Sequence, residues 1–141
     1  MTEPIQGACL CEGVRFAVQG SPDNVFICFC LHCSKNAGAP GQISAKFRRE
    51  AVQVASGSEL MKTWILKDNL SGCEKHKVFC SQCGCTLWTI PMKHAGSHFI
   101  VRTSLLENGL VNFPYKAEFF ASRKVPVAAE GVKSFETMPG Q

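Results

Sequence analysis

A mainly β fold organised around clustered cysteines is what this sequence predicts, and three observations lead there. The β-branched and aromatic residues fall in short runs separated by turn residues. No stretch sustains a 3.6-residue apolar period beyond a turn or two. Nine cysteines are gathered in tight clusters, as chelating loops require.

The strands follow in order. Val14 to Val18 alternates at period two and then meets Gly20-Ser21-Pro22-Asp23, a turn. Val25 to Cys28 reads as a strand running into a cysteine loop. Gln42 to Phe47 and Val52 to Ala55 are two more, the second closed by Ser56-Gly57-Ser58. Met61 to Leu66, Thr86 to Ile90 and Phe99 to Thr103 continue the series, and Glu118-Phe119-Phe120 forms a late strand. Asn69 to Gly72 and Asn108-Gly109 interrupt the windows where a helix would otherwise fit. At most one or two turns of helix are expected after Cys33. Trp64 and Trp88, both in strand-like contexts, are expected in the core.

The chain has 141 residues, which suits one zinc-binding domain over residues 1–141, with 132–141 as a loose tail. Hydrophobic residues make up 45% and charged residues 18%, a globular balance. Met1 to Gly7 shows no basic segment leading into an apolar one, and no run approaches the roughly 20 apolar residues of a membrane span. A cytoplasmic protein without membrane contact is therefore expected. In that compartment thiols stay reduced, so nine cysteines point to metal rather than disulfides. The formal charge is +4. With seven thiolates and two Zn²⁺ it becomes about +1. Basic residues are scattered, as at Arg48-Arg49, Lys75, Lys77 and Arg123-Lys124, so no nucleic-acid footprint emerges. Sequence says nothing of the oligomeric state.

Zinc favours tetrahedral sulfur or nitrogen ligands, and two thiolates on one tight loop reach a single ion with little strain. Cys80-Ser81-Gln82-Cys83-Gly84 is such a knuckle, its glycine free to take φ > 0 and turn N–H groups toward the sulfurs. Cys9-Leu10-Cys11 has no local completion and is its natural partner, giving a closed Cys₄ site; the competing readings are buried free thiols or a redox pair. Cys28, Cys30 and Cys33 form a triplet within six residues. Three protein ligands leave a fourth position for water or substrate, unless a histidine or spare cysteine closes the site. Cys85 is expected in the core or near the site and Cys73 exposed in a polar loop; either can supply that ligand. His32 lies inside the triplet loop and is expected to point away. His76, His94 and His98 are expected to be solvated or hydrogen-bonded. No G-x-S-x-G, phosphate-binding glycine loop or H-E-x-x-H is present.

The order C-x-C, C-x-C-x-x-C and C-x-x-C-G resembles the glutathione-dependent formaldehyde-activating enzyme family, which includes centromere protein V. The resemblance runs from Gly7-Ala8-Cys9-Leu10-Cys11-Glu12-Gly13-Val14 through Cys28 to Lys35 and Phe79 to Thr86. It ends with Ala117-Glu118-Phe119-Phe120-Ala121-Ser122-Arg123 and Phe135. It implies a mainly β, Mss4-like zinc-binding fold with short irregular segments. It also implies a structural zinc at Cys9, Cys11, Cys80 and Cys83, and a catalytic zinc at Cys28, Cys30 and Cys33. The implied activity is a carbon–sulfur lyase, or its reverse, acting on glutathione or its adducts. Phe29, Ser34 and Cys85 depart from residues common in relatives. None of these changes removes a ligand, but each bears on the pocket, so the reaction class carries over and the electrophile does not.

The expected mechanism has zinc holding the substrate sulfur, with Lys35 and Arg48 as candidates for gripping carboxylates. The rival from another class is a non-catalytic zinc module binding a protein or nucleic acid, distinguished by a side chain as the triplet's fourth ligand. A thiol redox protein is a third reading, and would show reversible Cys80–Cys83 oxidation without metal.

Overall fold

The computed structural model describes residues 3–126 and 130–140. The chain is mainly β, as expected. Ten strands form two sheets, and among the described residues there are two short α-helices.

The smaller sheet has the order β1-β2-β5, with β1 at Ile5–Ala8, β2 at Arg15–Val18 and β5 at Val52–Ser56. The larger has seven strands in the order β10-β3-β4-β9-β8-β7-β6. Its members are β3 (Asn24–Cys28), β4 (Gln42–Arg48), β6 (Met61–Leu66), β7 (Lys75–Cys80), β8 (Thr86–Pro91), β9 (His98–Arg102) and β10 (Ala117–Phe119). All pairings are antiparallel except β10 on β3.

Period-two patterning sends one face of each sheet inward. Phe16 and Val18 of β2 meet Ala45 and Phe47 of β4, Val78 of β7, Trp88 of β8 and Val101 of β9, all buried. Phe16 sits edge-on to Trp88 with centroids 5.2 Å apart, and Phe99 stacks on the same indole at 5.4 Å. A bulge in β8 skips Leu87 between the Val78–Trp88 and Phe79–Thr86 pairs, so Leu87 and Trp88 both reach the core. Full burial of each such side chain contributes roughly 1.5–3 kcal/mol. Gly7 is required by packing: a Cβ there would sit 2.6 Å from the Phe16 ring.

Several expectations need correction. Trp64 is 56% exposed rather than core. It lies on the edge strand β6 opposite Lys77, on the face turned away from the smaller sheet. Strands β1 and β7 were not expected; β1 is four residues long, and β7 carries Lys75 and Lys77 at alternate positions, which mask its apolar period. Helix α1 spans Leu31–Ala37 and so contains Cys33 instead of following it. Helix α2, Gly109–Asn112, is a single turn too short to show a period. Thr103 leaves β9 and opens a 3₁₀ turn. Residues 130–140 carry turns and bends only and are exposed.

Trp88→Ala should cost roughly 3–5 kcal/mol, whereas Trp64→Ala should stay within about 0.5 kcal/mol. Denaturant unfolding of the metal-replete protein checks both; equal losses would contradict the assignment of the two faces.

Candidate metal centres

Cys9 and Cys11 follow β1 of the smaller sheet, while Cys80 ends β7 of the larger one and Cys83 follows it. Their four sulfurs lie within 4.8 Å of one another. The Cys9–Cys11 separation is 3.6 Å and the Cys11–Cys80 separation 3.8 Å. A tetrahedron with sulfurs about 2.3 Å from its centre has edges of about 3.8 Å, so the donor set fits zinc without rearrangement.

The loops aim hydrogen-bond donors at these sulfurs. The Val14 N–H donates to Cys9 at 3.3 Å and the Gly13 N–H to Cys11 at 3.4 Å. The Gln82 side-chain amide donates to Cys11 at 3.2 Å. Gly84 adopts φ 77° and donates its N–H to the Cys80 carbonyl at 2.7 Å, closing the knuckle. Burial pushes the Cys9 thiol up to about 11, against the Val14 N–H. Burial also opposes ionisation of Cys83, but hydrogen bonds from the Cys11 and Cys85 N–H groups and from the Cys11 and Cys80 thiols bring it down to about 6. Without a cation the group divides its protons unequally; a divalent ion favours all four thiolates.

The triplet forms a second group. Cys28 ends β3, Cys30 is the N-cap of α1 and Cys33 lies in its first turn, and the three sulfurs are also within 4.8 Å. The Cys33 N–H donates to Cys30 Sγ at 3.4 Å. A hydrogen bond from the Cys33 thiol pulls Cys28 down to about 6 against its burial, with the Cys30 backbone and the Lys75 charge assisting. The same contact, with burial, drives Cys33 strongly upward. Among the described residues, no fourth Cys, His, Asp or Glu ligand atom joins this group.

Neither spare cysteine completes it. Cys85 is half-buried against the core, and Cys73 is half-buried in the loop before β7 rather than exposed. His32 is exposed on α1. His76 contacts Glu74 at 3.2 Å, His98 contacts Asp23 at 3.1 Å and His94 lies 3.4 Å from Lys46 Nζ. Lys35 is exposed on α1 near the triplet. Arg48 stands at the opposite end of β4 from Gln42, the residue paired with Cys28, and so lies far from the group.

Around the triplet the structure adds residues that the sequence reading missed. Gln42 Nε2 approaches Cys33 Sγ at 3.8 Å. Asn36 Nδ2 donates to Gln42 Oε1 at 2.9 Å, and Thr86 Oγ1 donates to Asn36 Oδ1 at 3.2 Å. This relay ties β8, α1 and β4 to the sulfurs. Farther along β4, buried Ser44 pairs with buried Arg102. An arginine inside Phe99-Ile100-Val101-Arg102-Thr103 was the available signal. A cleft of about 450 Å³ is lined by residues such as Val52, Met61, Trp88 and Phe99, and neither sulfur group lines it.

A model of the family described as glutathione-dependent formaldehyde-activating enzyme matches residues 4–123. A solved structure of a protein from Rhodobacter sphaeroides is similar at 18% identity, with a TM-score of 0.61 over 81% of this chain and 98% of that one. At that identity the likeness concerns the fold. No curated protein matches the chain.

Two divalent ions per chain are expected, and chelation should lower Tm by at least ~10 °C, because the four-sulfur group links the two sheets. Cys11→Ser/Cys83→Ser should lose that stabilisation, while Cys30→Ser keeps one ion and most of it. Metal analysis with thermal unfolding checks this; an unchanged Tm after complete metal removal would contradict it.

Proposed function

This chain belongs to the glutathione-dependent formaldehyde-activating enzyme family, and we propose on that premise that it is a carbon–sulfur lyase, or runs the reverse reaction, on glutathione or glutathione adducts. The whole chain, residues 1–141, acts in this reading as one zinc-binding unit. The observation supporting catalysis is the inequality of the two sulfur groups: four ligand atoms in one and three in the other. A completed tetrahedron is structural, whereas three ligands leave a position for substrate. Cys28, Cys30 and Cys33 would hold zinc, which would supply a Lewis acid favouring the thiolate form of a substrate sulfur near neutral pH.

The protein's own residues set the conditions for that chemistry. The Gln42–Asn36–Thr86 relay holds Cys33 against the sheet. The Cys30 cap fixes the start of α1, so the three sulfurs converge without a large loop rearrangement. Phe29 is buried and Leu31 exposed, and each flanks Cys30 in the chain. In the addition direction the substrate thiolate attacks an aldehyde carbon, a C–S bond forms, and the carbonyl oxygen takes a proton. In the lyase direction the hydroxyl loses that proton as the C–S bond breaks and the sulfur departs as thiolate. Cys9, Cys11, Cys80 and Cys83 serve stability, outside the reaction.

Cys30→Ser is the direct test. Turnover with glutathione and an aldehyde should fall by at least ~100-fold, while the far-ultraviolet spectrum and the four-sulfur ion are retained. Undiminished turnover in this variant would rule the proposal out.

A further inference from the structure

The outer face of the seven-stranded sheet carries two basic residues, Arg102 and Lys77, that form no ion pair among the described residues. Cys28 pairs with Gln42, Ser44 lies two residues on, and Ser44 pairs with Arg102. At period two these four residues share one face. Ile100, Thr89 and Lys77 continue it across β9, β8 and β7. Arg102 is 6% exposed. Its Nη1 donates to Ser44 Oγ at 3.4 Å, and its buried Nη2 has no hydrogen-bond partner among the described residues. Lys77 stands near enough for the Arg102 charge, after burial, to lower its affinity for a proton. The ion pairs among the described residues engage Arg15, His76, His98 and Lys124; none involves Arg102 or Lys77.

A desolvated guanidinium is stable where an anion meets it. The nearby sulfurs, Cys33 and Cys85, act on Arg102 in that sense. With a divalent cation among the triplet thiolates, however, only about one negative charge remains there. A donor stays unused, and the planar fork of a guanidinium matches a carboxylate.

We propose that Arg102, supported by Lys77, is the specificity-determining residue that grips a carboxylate of the substrate whose sulfur enters the Cys28/Cys30/Cys33 group. This rests on the function proposed above and adds a substrate requirement, a thiol carrying a carboxylate within reach of its sulfur. Strand spacing puts the Cα atoms of Cys28 and Arg102 roughly 12 Å apart. A cysteinyl peptide or mercapto acid, met by side chains from both ends, is long enough to bridge that separation. Ser44 holds one arm of the guanidinium, so the other, buried and unpaired among the described residues, has little freedom to turn aside.

The test is calorimetric binding of S-methylglutathione and its dimethyl ester to the zinc-loaded protein. The thioether cannot deliver a thiolate, so the readout does not depend on turnover. Wild type should bind the acid at least ~10-fold more tightly than the ester. Arg102→Gln should abolish that preference with zinc content unchanged, and Arg102→Lys should retain part of it. If wild type does not distinguish acid from ester, or Arg102→Gln still does, the inference is overturned. It is also overturned if Arg102→Gln loses zinc and weakens both probes equally, because Arg102 then only balances the thiolates. A preference that depends on Arg102 in a protein that turns over no glutathione adduct supports the subsite while removing the lyase reading.

Discussion

Seven thiols held in two groups at near-contact distances constrain everything else in this protein. Sulfurs 3.6–3.8 Å apart cannot all ionise without a cation, because like charges at that range repel strongly. Burial raises Cys9, and the proton shared between Cys28 and Cys33 pulls one thiol down while pushing the other up. A divalent ion removes the conflict in both groups. In the four-sulfur group it would also tie the smaller sheet to the larger one, since the two cysteine pairs come from different sheets. The core and the metal-loaded cysteine loops would therefore stabilise one arrangement together.

The larger sheet separates two tasks between its faces. Its inner face packs Phe47, Val78, Trp88 and Val101 against Phe16 and Val18, which fixes strand register. Register in turn fixes what appears on the outer face. Cys28, Gln42, Ser44, Arg102 and Lys77 come from four strands, yet period two brings them to one surface. Packing on one side thereby positions chemistry on the other, and a one-residue slip in β4 would move Gln42 and Ser44 into the core.

Much of this was legible in the sequence because chelation and alternation leave local marks. The C-x-C, C-x-C-x-x-C and C-x-x-C-G spacings identified both sulfur groups, and eight of the ten strands coincide with apolar runs bounded by turns. What escaped notice depends on partners distant in the chain. Lys75 and Lys77 hide β7 because they face outward from a strand whose inward residues are Val78 and Cys80. Trp64 resembles a core residue locally, and the edge position of β6 and its outward face leave it exposed. The Gln42–Asn36–Thr86 relay joins residues up to 50 positions apart, beyond the reach of any local motif.

The central claim is that one sulfur group is closed by protein while the other keeps a position for substrate. A zinc-edge anomalous difference map from crystals of protein purified without chelator tests it most directly. Two peaks are predicted, one within Cys9, Cys11, Cys80 and Cys83, the other at Cys28, Cys30 and Cys33 with water or a small thiol as fourth ligand. A protein side chain completing the second site, or a single peak at the four-sulfur group, would contradict it.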